Sequence, residues 1–505
     1  MHRRLGNIGK LAGQTFWYGF SSIIGRFINY LLTPLLTGIY ASERYGDISI
    51  LFAYAAFLNI IFTFGMETAY FRFSKDQAEG PVFQTGQTLL LLTTALLGAL
   101  FLLPTAQIAE LMKLETHPEY IRWVLWIVVL DTLVVLPMAR LRHEGRPIRF
   151  ATIRILNILV NVGLVIFFLV LCKGDHDKGV SSIWALCYNP AIDIGYVFLA
   201  NLAASAFTLL LLWKSWNGFR FRIDRSLLLQ MLAYSAPLLI VGFGGMINET
   251  IDRFMIVNRF DGTVEAAKSA NGIYSANYKL AVLIVLFIQA FRMGAEPFFF
   301  RQAREGGAQR TYARVMKFFV IVCCLCFLGV SLFLDIWKHF MGIRNHPEYL
   351  EGLRIVPILM LAKIFLGIYY NLSIWYKLTD RTLTGAWITL GGAAITVTLN
   401  YFLVPYWGYM ACAWATLACY GFMMYWSYRL GQRYYPIPYA WKKLTAYVTI
   451  CILLFLMHNG FRSISPGIWW THAMGGMLLS LFITLVVRVE RRELTNIPVL
   501  SRFLR

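Results

Sequence analysis

Apolar stretches of about 20 residues, the length that crosses a bilayer as a helix, recur along the whole of this 505-residue chain. They run from a first at 13–39 to a last at 467–487, with short polar connections between them. They do not alternate apolar with polar residues, which excludes a membrane β-barrel and leaves helices as the way to pair the backbone in lipid. The pattern predicts an all-α polytopic membrane protein with about 14 transmembrane helices. The first run is too long for a signal-peptide core and lacks a small-residue cleavage site, so it is read as a span.

Within the runs, two motifs recur at one distance. HPEY stands at 117–120 and again at 346–349; GMETAYFR at 65–72 is echoed by GAEPFFFR at 294–301. Both pairs lie 229 residues apart, and a weaker pair, Gly46-x-x-Ser49 and Gly272-x-x-Ser275, lies 226 apart. This register predicts a duplication, with an N-lobe over 1–226 (helices 1–6), a C-lobe over 227–433 (helices 7–12), and two added helices with a basic tail over 434–505. An even number of spans per copy gives two parallel six-helix repeats around a central cavity. Each HPEY reads as the start of a helix, with Pro in the first turn, Glu at the positive end of the helix dipole and Tyr at the membrane interface.

Composition sharpens this reading. The chain is 58% hydrophobic and 14% charged, with mean hydropathy +0.59. Its net charge of +20 does not call for nucleic acid. With the N-terminus inside, the cytoplasmic segments hold more than twice the Lys and Arg of the outside loops, which orients the protein with both termini cytoplasmic. Eight cysteines show no zinc spacing, and no metal or cofactor is expected. Cys172 and Cys187 flank the longest outside loop, where a disulfide is available to them but not required.

Charges inside the runs are the candidate chemistry. Arg26, Arg154, Lys279, Arg292 and Lys363, with Arg253 at the edge of helix 7, face the acids Glu67, Asp131, Glu249, Asp252 and Glu296. Each would cost about 3 kcal/mol in lipid, so they pair, snorkel or line water. In helix 1, Gly19, Ser22, Arg26, Tyr30, Thr33 and Thr37 follow helical spacing and predict a polar stripe on a cavity. Glu249 and Arg253 are spaced to pair along one helix, and Asp131 is placed to neutralise Arg154. Glu67 and Glu296 are candidates for latches between the lobes. Arg26 and Lys363 have no partner nearby in sequence. A cavity rich in Arg and Lys suits an anion, above all a diphosphate, which guanidinium grips with two hydrogen bonds.

The opening segment GFSSIIGRFINYLLTPLLTGIYASERYGDISI resembles the start of bacterial polysaccharide and O-antigen flippases. So do Asp252-Arg253-Phe254, Asn271-Gly272-Ile273-Tyr274-Ser275 and Lys279-Leu280. These flippases belong to the multidrug/oligosaccharidyl-lipid/polysaccharide exporter superfamily. The resemblance covers essentially the whole chain. It implies a protein of the bacterial inner membrane that carries an undecaprenyl-diphosphate-linked oligosaccharide from the cytoplasmic to the outer leaflet by alternating access. Basic cavity residues would hold the diphosphate, with Arg26 at the helix 1 position where such proteins carry a cation. Expected partners are the lipid-linked oligosaccharide, membrane lipids, and assembly proteins such as a polysaccharide polymerase; a monomer is expected. Asp131, Glu249 and Asp252 are candidates for coupling, with Glu67 and Glu296 for gating. Three other readings remain: a cation-coupled multidrug exporter of the same superfamily, kept alive by Glu249 and Asp252; a membrane polymerase or ligase, which would need larger outside loops; and a structural scaffold.

Overall fold

The computed structural model describes residues 23–115, 117–180, 182–303, 307–341, 345–464 and 467–495, with the side chains at 296, 297 and 301 outside the description. The candidate Glu296 is among these, and Gly19 and Ser22 of the expected stripe also lie outside the described residues. Among the described residues there are helices and no strands.

Among the described residues, fourteen helices fall on the apolar runs. The first six are α1 Ile23–Ile39, α2 Ser42–Phe73, α3 Glu79–Leu102, α4 Pro118–His143, α5 Pro147–Asp177 and α6 Gly195–Leu211. Then come α7 Arg225–Arg259, α8 Val264–Gln302, α9 Ala308–Ser331, α10 Pro347–Leu378, α11 Thr382–Trp407 and α12 Tyr409–Tyr434. Last are α13 Trp441–Ile464 and α14 Ile468–Val489. Eleven are long and apolar enough to cross a membrane by length and composition, and α1 and α6 are shorter apolar helices. α12 is the departure, its 26 residues studded with Tyr, Trp, Arg and Gln.

The repeated motifs differ in what they do. HPEY keeps its geometry: His117 (φ −139, ψ 61) and His346 (φ −135, ψ 76) take the same backbone conformation, each followed by Pro at the first helical position. Each imidazole lies beside the Glu two residues on, at 2.8 and 3.5 Å. The tyrosines correct the interfacial expectation, since Tyr120 and Tyr349 are both fully buried. The Gly-x-Glu motif does not keep its geometry. Gly65 (φ +66) follows Phe64 (φ +50) and breaks α2 into Ser42–Thr63 and Met66–Phe73, a turn that favours glycine. Gly294 sits inside the unbroken α8.

Packing divides the chain into two compact units, Met1–Ser275 with Asn400–Tyr409, and Ala276–Leu399 with Met410–Arg505. The first unit thus holds α7 and the start of α8 beyond the six helices that the duplication groups together. Its core shows why for α7: Leu227 and Met231 pack with Met66 and Tyr70 of α2, Leu90 of α3, and Leu136 of α4. In the second unit, α13 and α14 are fixed to α9 by a buried ion cluster. Lys317 Nζ donates to Glu490 Oε2 at 2.5 Å and to Glu493 Oε1 at 2.7 Å, while Lys443 and Tyr447 donate to Glu490 Oε1 at 2.8 and 2.7 Å.

Candidate functional site

Helices can meet closely only where side chains are small, and the first unit uses this twice. Gly25 of α1 faces α5; a Cβ there would lie 2.5 Å from Ile158 Cδ1. Arg26 is the residue after this contact on α1, and Arg154 lies one turn before Ile158 on α5. Both residues expose much of their surface, although protein partly surrounds the Arg154 guanidinium, and Arg26 lies near enough for the two like charges to interact. Neither makes an ion pair among the described residues; Arg154 has only the ring of Phe150, 6.0 Å away. Asp131 does not neutralise it, because its Oδ1 accepts from Ser205 Oγ at 2.7 Å. Asn157, a turn along α5, is bonded to Thr208 of α6 at 2.8 Å.

The polar stripe of α1 is corrected by burial. Tyr30, Thr33 and Thr37 are 4%, 2% and 0% exposed, and Thr37 returns its hydroxyl to the Thr33 carbonyl at 2.8 Å. These residues pack inside the unit, and Arg26 alone of the described stripe is open. Two exposed like charges on apolar helices are costly in lipid and repel each other. Water or an anion relieves both effects, and a phosphate can accept from the two forks at once.

The second close approach joins the weak repeat pair to itself. A Cβ on Gly46 of α2 would stand 2.1 Å from the Lys268 carbonyl oxygen, and one on Gly272 of α8 would stand 1.8 Å from that of Ser42. The contact is reciprocal, as in a twofold interface. Ser42 bonds Ser269 at 2.7 Å, Ser49 bonds Ser275 at 2.6 Å, and Asn271 Nδ2 donates to the Gly46 carbonyl at 2.9 Å. Lys268 pairs with Asp47 at 3.2 Å.

Two neighbours on α7 then point in different directions. Arg253 Nε donates to Ser49 Oγ at 3.1 Å and Nη1 to the Glu249 carbonyl at 3.0 Å, so Arg253 meets Glu249 at its backbone. Asp252, 1% exposed, accepts from Tyr274 Oη at 2.5 Å and from Asn400 Nδ2 of α11 at 2.7 Å. Tyr274 belongs to the Asn271–Ser275 segment; Asn400 was missed, although a lone Asn in an apolar run was its signal. Glu67 pairs with Arg142 of α4, a partner within the same unit.

The second unit places the remaining candidates separately. Lys363 is fully buried, and its ammonium donates to Tyr278 Oη at 2.6 Å and Tyr420 Oη at 3.3 Å. It also sits 4.9 and 5.0 Å from the centres of those rings, which stabilise a cation through their faces. Lys363 is therefore closed to a ligand in this conformation. Arg292 is exposed, lies 4.7 Å from the Tyr370 ring, and lines a small cleft with Lys377, Phe291 and Gly367. Lys279 is half-buried on α8. Among the described residues no group of His, Cys, Asp and Glu is assembled as a metal site.

The whole chain has known counterparts in fold. It is similar to the lipid II flippase MurJ in an inward closed conformation (TM-score 0.67, 13% identity), over 93% of this chain and 98% of that one. It is also similar to an inward-facing multidrug resistance MATE family transporter of the MOP superfamily (TM-score 0.58, 12% identity), over 87% and 95%, and to an outward-facing one (TM-score 0.53, 13% identity), over 86% and 96%. No curated protein sequence matches it. The profile of the family described as polysaccharide biosynthesis protein matches residues 11–302. The chain therefore belongs to the polysaccharide biosynthesis protein family, with the fold of the multidrug/oligosaccharidyl-lipid/polysaccharide exporter superfamily.

Proposed function

We propose that the protein is a flippase that carries an undecaprenyl-diphosphate-linked oligosaccharide from the inner to the outer leaflet of the bacterial inner membrane, for cell-surface polysaccharide export. One observation carries this reading: the exposed Arg26 and Arg154, brought near each other where α1 meets α5 and paired with no carboxylate among the described residues. Diphosphate matches that pair in charge and in hydrogen-bond geometry, while the isoprenoid tail stays in the bilayer. With both termini cytoplasmic, the Gly46–Gly272 crossing lies at the outer ends of α2 and α8. It would close the outer side while the substrate is taken from the inner leaflet, and its parting would release the substrate outward. Alternating access then needs no chemistry on the glycan.

Coupling is assigned to Asp252, a buried carboxylate that accepts from Tyr274 and Asn400 and holds a proton or sodium ion in one half of the cycle. The same residue favours a second reading, a cation-coupled exporter of drugs. Reconstitution separates the two. Proteoliposomes containing the purified protein should deliver a fluorescent undecaprenyl-diphosphate oligosaccharide to the opposite leaflet at a rate above protein-free liposomes. Expulsion of a cationic dye without any movement of the lipid would establish the exporter instead.

A further inference from the structure

One end of the second unit holds a cleft of about 660 Å³ that no step of transport uses. It is bounded by α9, α10, α12 and α13, all apolar helices at this depth. Its lining is sorted by position. Phe327, Ile358, Leu417 and Phe455 lie one or more turns inside the helices, whereas Asp335 and Lys338 lie beyond the end of α9 and Arg462 at the end of α13. By the loop charges this end is the outer one. Two of the cations share one carboxylate: Lys338 Nζ and Arg462 Nη2 both reach Asp335 Oδ1, at 3.1 and 2.9 Å. Trp414 and Leu456 line the cleft while remaining 46% and 55% exposed, so it opens sideways, where a membrane protein meets lipid.

A cleft that is apolar in depth, cationic at the headgroup level and open to the side has the polarity profile of a phospholipid. Its volume is in the range of sites that enclose a specific ligand, about 300–1,000 Å³. The excess of cations over carboxylate in the lining selects a negative headgroup over a zwitterionic one. We propose that this cleft binds an anionic phospholipid of the outer leaflet, with an acyl chain among Phe327, Ile358, Leu417 and Phe455 and its phosphate beside Lys338 and Arg462. The lipid would fill the space between α13 and the helices that precede it.

Photolabelling of the full chain in nanodiscs tests this. Trace phosphatidylglycerol with a diazirine in its acyl chain is compared with phosphatidylcholine carrying the same chain, and labelled peptides are mapped. The phosphatidylglycerol probe should label 350–361 and 452–462 at least tenfold more than the phosphatidylcholine probe. Lys338→Gln with Arg462→Gln should bring it down to the phosphatidylcholine level. Leu456→Trp, which keeps every charge and narrows the opening, should lower labelling by both probes, a result that stands if the double variant fails to fold. Equal labelling by the two probes in the wild type overturns the proposal. So does labelling that excess undecaprenyl diphosphate removes and excess phosphatidylglycerol does not, which would give the cleft to the transported lipid.

Discussion

At the scale of the residue, the difference between an enclosed charge and an open one separates the candidates. Lys363 and Arg26 look alike in sequence, each a lone cation in an apolar helix. In the fold Lys363 is enclosed by Tyr278 and Tyr420, while Arg26 is exposed beside another cation. The partners that distinguish them lie 57 to 85 residues away along the chain, beyond anything local spacing reveals. Asp131 makes the same point, since it bonds Ser205 of α6 rather than the arginine of the adjoining hairpin. Asp252 has its own consequence. Asp252→Asn keeps an acceptor for Tyr274 but cannot take up a proton or balance a cation. The variant should lose any dependence of flipping on the pH or sodium gradient, measured by collapsing each in turn. A gradient response equal to that of the wild type would remove Asp252 from coupling.

At the scale of the element, helix positions were legible and helix contacts only in part. Hydropathy is a property of each run alone, so the described helices could be marked from sequence, α12 least plainly. The α2–α8 crossing was visible only as a faint Gly-x-x-Ser echo, because what makes it is the absence of a side chain opposite a backbone carbonyl. Placing Leu at Gly46 or Gly272 would put a Cβ within 2.1 or 1.8 Å of that carbonyl, so the crossing must part. Cysteines introduced beside it should then react with a membrane-impermeant thiol reagent several-fold faster than in the parent. Unchanged labelling would mean that the contact does not close the outer side.

The attachment of α14 makes a prediction in pH. Burial of Glu490 disfavours its carboxylate, but hydrogen bonds from Lys317, Lys443 and Tyr447 outweigh this and hold its pKa below the ordinary value. A depressed carboxyl stabilises the fold fully above the unfolded pKa of about 4.3 and ceases to do so as pH falls through the lower folded value. Glu490→Gln should therefore lower stability by about 3 kcal/mol at pH 7, the lower end for a broken buried pair because Lys317 keeps Glu493. The gap to wild type should close on acidification below pH ~4. Thermal unfolding in detergent at both pH values checks it, and an equal gap at both would show that the carboxylate is not what fixes α14.

At the scale of the whole molecule, charge arranged across the bilayer links fold to direction. With the cell interior negative by 100 mV, outward movement of an anion gains about 2.3 kcal/mol per charge, so the membrane potential already favours export of a diphosphate. The family and fold place the chain among polysaccharide proteins built like a lipid flippase, and the open arginines supply the group that would recognise the lipid. The expected duplication rests on two motifs that keep one register. The division of packing was not, since α7 joins its neighbours through Leu227 and Met231, apolar residues like many others. The most direct measurement is the rate of undecaprenyl-diphosphate oligosaccharide flipping in proteoliposomes by the wild type and by Arg26→Gln with Arg154→Gln, at matched protein insertion. A charged hydrogen bond contributes about 1.5–3 kcal/mol, so the double variant should flip at least tenfold more slowly. Flipping at the wild-type rate would contradict the account.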